Sequence, residues 1–104
     1  MDGQMKKGVL EMCILFKLKD GQLYGYELMK SIRQAFPDVY EGSIYTILRR
    51  LNAAGFTFIT QKESPNGPVR KYYEITQAGL EYLNQMVEEW RSVASGVASF
   101  GINF

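Results

Sequence analysis

The chain has 104 residues, of which 46% are hydrophobic and 22% charged, and its formal net charge is +1. That is one domain with a modest core, short enough to gain from a partner. The charge excludes a globally basic nucleic-acid binder, and one cysteine with no histidine excludes an intrachain disulfide and a structural zinc site.

Residues 5–19 read as a first helix. Val9, Leu10, Met12, Cys13, Leu15, Phe16 and Leu18 leave little polar surface beyond Glu11 and Lys17. A helix apolar on most sides calls for burial on more than one face, which in so small a domain points to a second subunit. Cys13 reads as a small core residue. Lys6 and Lys7 precede the run, but Glu11, Lys17 and Lys19 break it. It is therefore neither a signal peptide nor a bilayer span, and a cytoplasmic location is expected.

Asp20-Gly21 ends this helix, and residues 24–36 read as the second. Tyr24, Leu28, Ile32 and Phe36 recur every four residues as a core stripe, while Glu27, Lys30, Arg33 and Gln34 face water. Lys30 is also placed to face DNA phosphate. Pro37 closes the helix, and residues 37–40 form a short connector to the next, as in a helix-turn-helix pair.

Residues 41–55, EGSIYTILRRLNAAG, carry the strongest functional pattern. Ile44, Ile47, Leu48 and Leu51 form one apolar face, and Gly55 stands where a left-handed residue ends a helix. The other face bears Ser43, Tyr45, Thr46, Arg49 and Arg50. Hydroxyls and arginines opposite an apolar face suit a helix laid in a DNA major groove. An ordinary surface helix with solvated arginines has the same pattern.

The period then changes. Residues 56–63 (FTFITQKE) are β-branched and aromatic and read as a strand. Residues 64–68 are dense in turn formers, and residues 69–75 read as the returning strand. The hairpin has a basic tip and suits a wing that approaches phosphate or a minor groove. Of Tyr72 and Tyr73 one belongs in the core and one faces outward, and alternation does not say which. Thr76 is a good N-cap for a last helix from residue 77 to about 98. Leu83, Met86, Trp90, Val93 and Val97 form a two-heptad seam with nothing earlier in the chain left to cover it, so a homodimer is expected. Residues 95–104 lose the pattern and are expected to fray.

Charge follows the same division. Residues 24–76 hold seven basic and five acidic side chains, whereas from residue 77 only Arg91 stands against Glu81, Glu88 and Glu89. The fold class expected is mostly α with a two-stranded β wing (α+β): a winged helix-turn-helix over residues 1–76 and a C-terminal dimerisation helix with its tail over 77–104.

Tyr24-Gly25, Gly42-Ser43-Ile44-Tyr45, Arg70-Lys71-Tyr72-Tyr73 and Thr76 with Gly79, in this order and spacing, resemble the PadR family of bacterial transcriptional regulators. The resemblance spans residues 5 to about 97. It implies a homodimer in which the last helix packs on the partner's first, with Val9, Phe16, Leu83, Met86, Trp90, Val93 and Val97 at the interface. It also implies repression of transcription, with release of DNA when a small molecule binds. Trp90 matches the multidrug-sensing branch, which implies a pocket for a small aromatic effector at the dimer axis near Met5 and Met12. This chain departs from the family at Thr46, where many relatives have proline, and at Asn52, where they have glutamate. The wing turn reads Gly67-Pro68-Val69. Ala94 replaces an acidic residue that some multidrug-sensing members use against cationic ligands.

Double-stranded DNA is thus the expected partner. Lys30, Ser43, Tyr45, Thr46, Arg49, Arg50, Arg70 and Lys71 are the candidate contacts, with Arg50 placed as a phosphate contact or solvated charge. No catalytic residue, cofactor, metal or membrane partner is expected, because no nucleophile motif or Gly-rich phosphate loop is present. The alternative is a winged-helix module that binds protein, which salt dependence would distinguish.

Overall fold

The computed structural model describes the backbone of residues 3–104 and the side chains of residues 7–104, so the side chain of Met5, expected beside a ligand, lies outside the described residues. The elements are α1 (Gly3–Leu18), β1 (Leu23–Tyr24), α2 (Gly25–Ala35), α3 (Glu41–Ala53), β2 (Thr57–Ser64), β3 (Gly67–Ile75) and α4 (Gln77–Ser99). Three of these strands form one antiparallel sheet in the order β1-β3-β2.

The core is built around α1, which packs against α2, α3, α4 and β3. Leu10, Ile14, Leu15 and Leu18 are at most 1% exposed, and burial of each contributes roughly 2 kcal/mol. Leu28 and Ile32 of α2, Ile44, Leu48 and Leu51 of α3, and Leu83 of α4 close around them. Glu11, expected on the polar surface of α1, is instead buried, because α3 and α4 both reach over it.

The third strand, β1, was not legible in the sequence, since two residues give no period. Leu23 pairs with Tyr73 and Tyr24 with Tyr72, so Tyr24 ends a strand and caps α2 rather than starting the helix. A Cβ at Gly25 would lie 3.0 Å from Cε1 of Tyr73, so the sheet meets the first turn of α2 closely. Tyr73 is the core tyrosine and Tyr72 the half-exposed one. The wing turns at Pro65 and Asn66 alone, and Gly67 and Pro68, expected in the turn, belong to β3.

Gly55, at φ +82°, ends α3 as its position predicts. The amide of Phe56 donates to the carbonyl of Leu51 at 3.0 Å, satisfying an end carbonyl of the helix. Thr76 then works in both directions: its Oγ1 accepts from the amide of Gly79 at 3.0 Å and donates to the carbonyl of Gly55 at 2.7 Å. The cap fastens the start of α4 to the end of α3.

The two halves of α4 differ. Leu83 is buried in the subunit's own core, packed with α1, so it does not lie on an open seam as expected; Tyr82, Met86 and Val87 pack beside it. Beyond them Trp90, Val93 and Val97 are exposed. The helix continues to Ser99, and residues 95–99, expected to fray, are helical. A helix of this length extends about 35 Å. It draws the molecule out to 54 × 30 × 21 Å with a radius of gyration of 15.1 Å, against about 13 Å for a compact chain of this size.

Candidate nucleic-acid interface

The apolar stripe of α3 faces inward, which leaves Ser43, Thr46, Arg49 and Arg50 on exposed positions. Thr46 Oγ1 donates to the carbonyl of Gly42 at 2.8 Å and accepts from Arg49 Nη2 at 3.2 Å. Arg49 is therefore laid along the outer face of the helix by a neutral partner. Tyr45 is half-buried against the core on the flank of α3. Burial, and secondarily the charge of Glu41, push its hydroxyl above the ordinary tyrosine range. Arg50, expected as a phosphate contact or a solvated charge, is paired: its Nη2 lies 3.3 Å from Glu11 Oε1.

A cleft of about 700 Å³ runs between α1 and α3, lined by Lys7, Tyr40, Ser43, Thr46, Arg49 and Arg50 among others. Lys7 is a member that the sequence reading missed, because only the packing of α1 across α3 brings it there.

For Lys62 and Arg70 of the wing and Lys30 of α2, aromatic rings take the place of acidic partners. Lys62 Nζ lies 4.7 Å from the centroid of Tyr72, Arg70 Cζ 4.8 Å from that of Tyr24, and Lys30 Nζ 5.7 Å from that of Tyr26. Lys62 and Arg70 are also direct cross-strand partners. Like charges in that position repel, and stacking on tyrosine faces offsets part of the cost without neutralising either charge. Lys62 is the second residue that the sequence reading missed; its place opposite Arg70 depends on the hairpin register.

The ion pairs lie elsewhere. Among the described residues they are Arg33–Glu41, Arg50–Glu11 and Arg91–Glu88. Arg33 also donates from Nε to the carbonyl of Val39, bracing the turn between α2 and α3. Lys30, Arg49, Lys62, Arg70 and Lys71 have no carboxylate within salt-bridge distance among the described residues.

Gly42 stands at the start of α3, and a Cβ there would meet nothing within 4 Å. Alanine at this position should leave the fold unchanged or more stable by up to about 1 kcal/mol, as a thermal melt would record. A loss of DNA affinity in that variant would then report a close approach of the duplex backbone.

A second groove, of about 390 Å³, runs between α1 and α4, and Met12, Tyr82, Met86, Glu89 and Trp90 contribute to its walls. Tyr82 stacks on Phe56 with ring centroids 4.3 Å apart and 10° between planes. Its hydroxyl donates to Glu11 Oε2 at 3.0 Å, and burial, followed by that bond and the carboxylate's charge, raises its pKa. Trp90 remains 47% exposed, an aromatic wall open to solvent in the single subunit. Val9 is half-buried and Phe16 exposed on α1.

The profile of the transcriptional regulator PadR-like family matches residues 14–85. A solved PadR-like transcriptional regulator from Bacillus cereus is 41% identical with a TM-score of 0.83, over 98% of this chain and 100% of that one. A Streptococcus transcriptional regulator is 31% identical with a TM-score of 0.85, over 97% and 100%. Among curated proteins, uncharacterized protein X of Lysinibacillus sphaericus is 30% identical over 90 residues, 84% of this chain and 83% of its own length.

Proposed function

Because the chain belongs to the PadR-like family of transcriptional regulators, we propose that it is a homodimeric, ligand-responsive repressor acting in the cytoplasm. The family and its solved relatives are transcriptional regulators rather than enzymes. Among the described residues, no helix is long and apolar enough to cross a membrane.

In this reading residues 1–76 carry the DNA-binding part and residues 77–104 the dimerisation helix. The dimer sets its two α3 helices in successive major grooves of a pseudo-palindromic operator, about one helical turn apart. Ser43, Thr46 and Arg49 meet bases and phosphates, with Tyr45 donating from the flank. Lys30, Lys62, Arg70 and Lys71 add sequence-independent affinity by releasing counterions. Val9, Phe16, Met86, Trp90, Val93 and Val97 meet the partner, and a small aromatic effector stacks on Trp90 with Met12 adapting to its shape.

The observation that carries this reading is the division of the cations. Arg49 of α3 rests on a hydroxyl, and Lys62 and Arg70 of the wing on tyrosine rings, instead of carboxylates, so their charge is available to phosphate. A gel-shift against the DNA upstream of the chain's own gene, repeated across salt concentrations, tests it. Binding should weaken steeply, with log K falling linearly in log salt. A folded dimer that shifts no DNA at low salt would favour the protein-binding alternative.

A further inference from the structure

Glu11 is the one acidic residue of α1, 8% exposed, with both oxygens engaged. Oε1 accepts from Arg50 Nη2 at 3.3 Å and Oε2 accepts from the Tyr82 hydroxyl at 3.0 Å. A buried carboxylate is costly unless a counterion and hydrogen bonds compensate it, and Arg50 supplies the counterion. The pair also stands between two cavities. Arg50 lines the cleft beside the outer face of α3, while Glu11 lines the groove between α1 and α4. Every other cation named for DNA contact lacks a carboxylate partner among the described residues, so Arg50 is the exception on its own helix.

We propose that Glu11 is a positioning residue that sets how much positive charge α3 offers to DNA, withholding Arg50 from phosphate while its own carboxylate is in place. This rests on the DNA-facing reading of α3 given above and adds to it a control point on a different helix. Glu11 also belongs to the wall of the α1–α4 groove.

The test compares salt dependence of DNA binding in the full chain. Glu11→Gln keeps the shape and removes the charge. It should tighten binding and steepen the slope of log K against log salt by about 0.9 for each DNA-bound subunit, the signature of one more neutralised phosphate. Glu11→Gln combined with Arg50→Gln should return the slope to the wild-type value. Tyr82→Phe, which removes the other hydrogen bond but leaves Arg50 neutralised, should not move it. A purely structural pair gives a different pattern, in which Glu11→Gln lowers melting temperature and affinity together at constant slope. That result overturns the inference, as does a steep slope that persists in the double variant or a slope altered by Tyr82→Phe. Glu11→Met, of similar volume, makes the same comparison if the glutamine variant does not fold. Failure of both to fold assigns the pair a structural role and overturns the inference. A wild-type protein that binds no DNA overturns the underlying reading as well, whereas binding with unaltered slopes overturns this inference alone.

Discussion

Replacing Gly79 with alanine is expected to lower the unfolding free energy by about 3 kcal/mol, at the upper end of what forced overpacking costs. The new Cβ would stand 2.1 Å from the carbonyl oxygen of Phe56 and 2.7 Å from Cγ1 of Ile75. Neither neighbour can retreat freely. The Phe56 carbonyl accepts from the amide of Thr76 at 3.0 Å, and Ile75 is the last residue of β3, paired with Thr57. Moving the backbone of Phe56 would also disturb its stacking on Tyr82. Urea denaturation checks this directly: the midpoint should fall while the m-value stays constant, since the surface exposed on unfolding is the same. A drop below about 0.5 kcal/mol would mean that α4 can shift away from the β2 entry without loss.

Arg49→Ala should have the opposite profile, with stability nearly unchanged and DNA affinity reduced on the order of 10- to 100-fold. Its side chain is exposed and, among the described residues, bonded only to Thr46 Oγ1 at 3.2 Å, and removing such a group moves stability by about 0.5 kcal/mol or less. Fluorescence anisotropy with operator and scrambled DNA separates two roles. If Arg49 reads a base edge, affinity falls on the operator far more than on scrambled sequence. If it holds a phosphate, both fall together and the salt slope drops by about 0.9 for each bound subunit. Lysine should rescue the phosphate role better than the base role, since it lacks the planar fork that grips guanine at two points.

The parts of the fold legible in the sequence were those set by a local period or a local stop. The inward face of α3, the helix end at Gly55 and the cap at Thr76 all follow from neighbours in the chain. What escaped depends on contacts across long separations. Glu11 lies 39 residues from Arg50 and 71 from Tyr82, so nothing near it marks it as a buried counterion. Lys62 gains meaning only from the register that sets it opposite Arg70. Leu83 fitted a heptad seam as well as a core position, and periodicity cannot distinguish a stripe covered by the same chain from one covered by another. The choice between Tyr72 and Tyr73 needed the helices, because α1 and the first turn of α2 at Gly25 cover the face of β3 that carries Tyr73.

The packing of α1 against α4 has a consequence for how the protein is made. The helix at the centre of the core leaves the ribosome before the elements that cover it, and Leu83, which completes its cover, follows well after. At typical elongation rates of about 5–20 residues per second, the interval between Leu18 and Leu83 is on the order of several seconds. During that time the nascent leucine face of α1 stays partly open, a vulnerable period for aggregation or chaperone capture. A ribosome stalled before residue 77 would hold a chain whose α3 is already synthesised but whose centre is still wet.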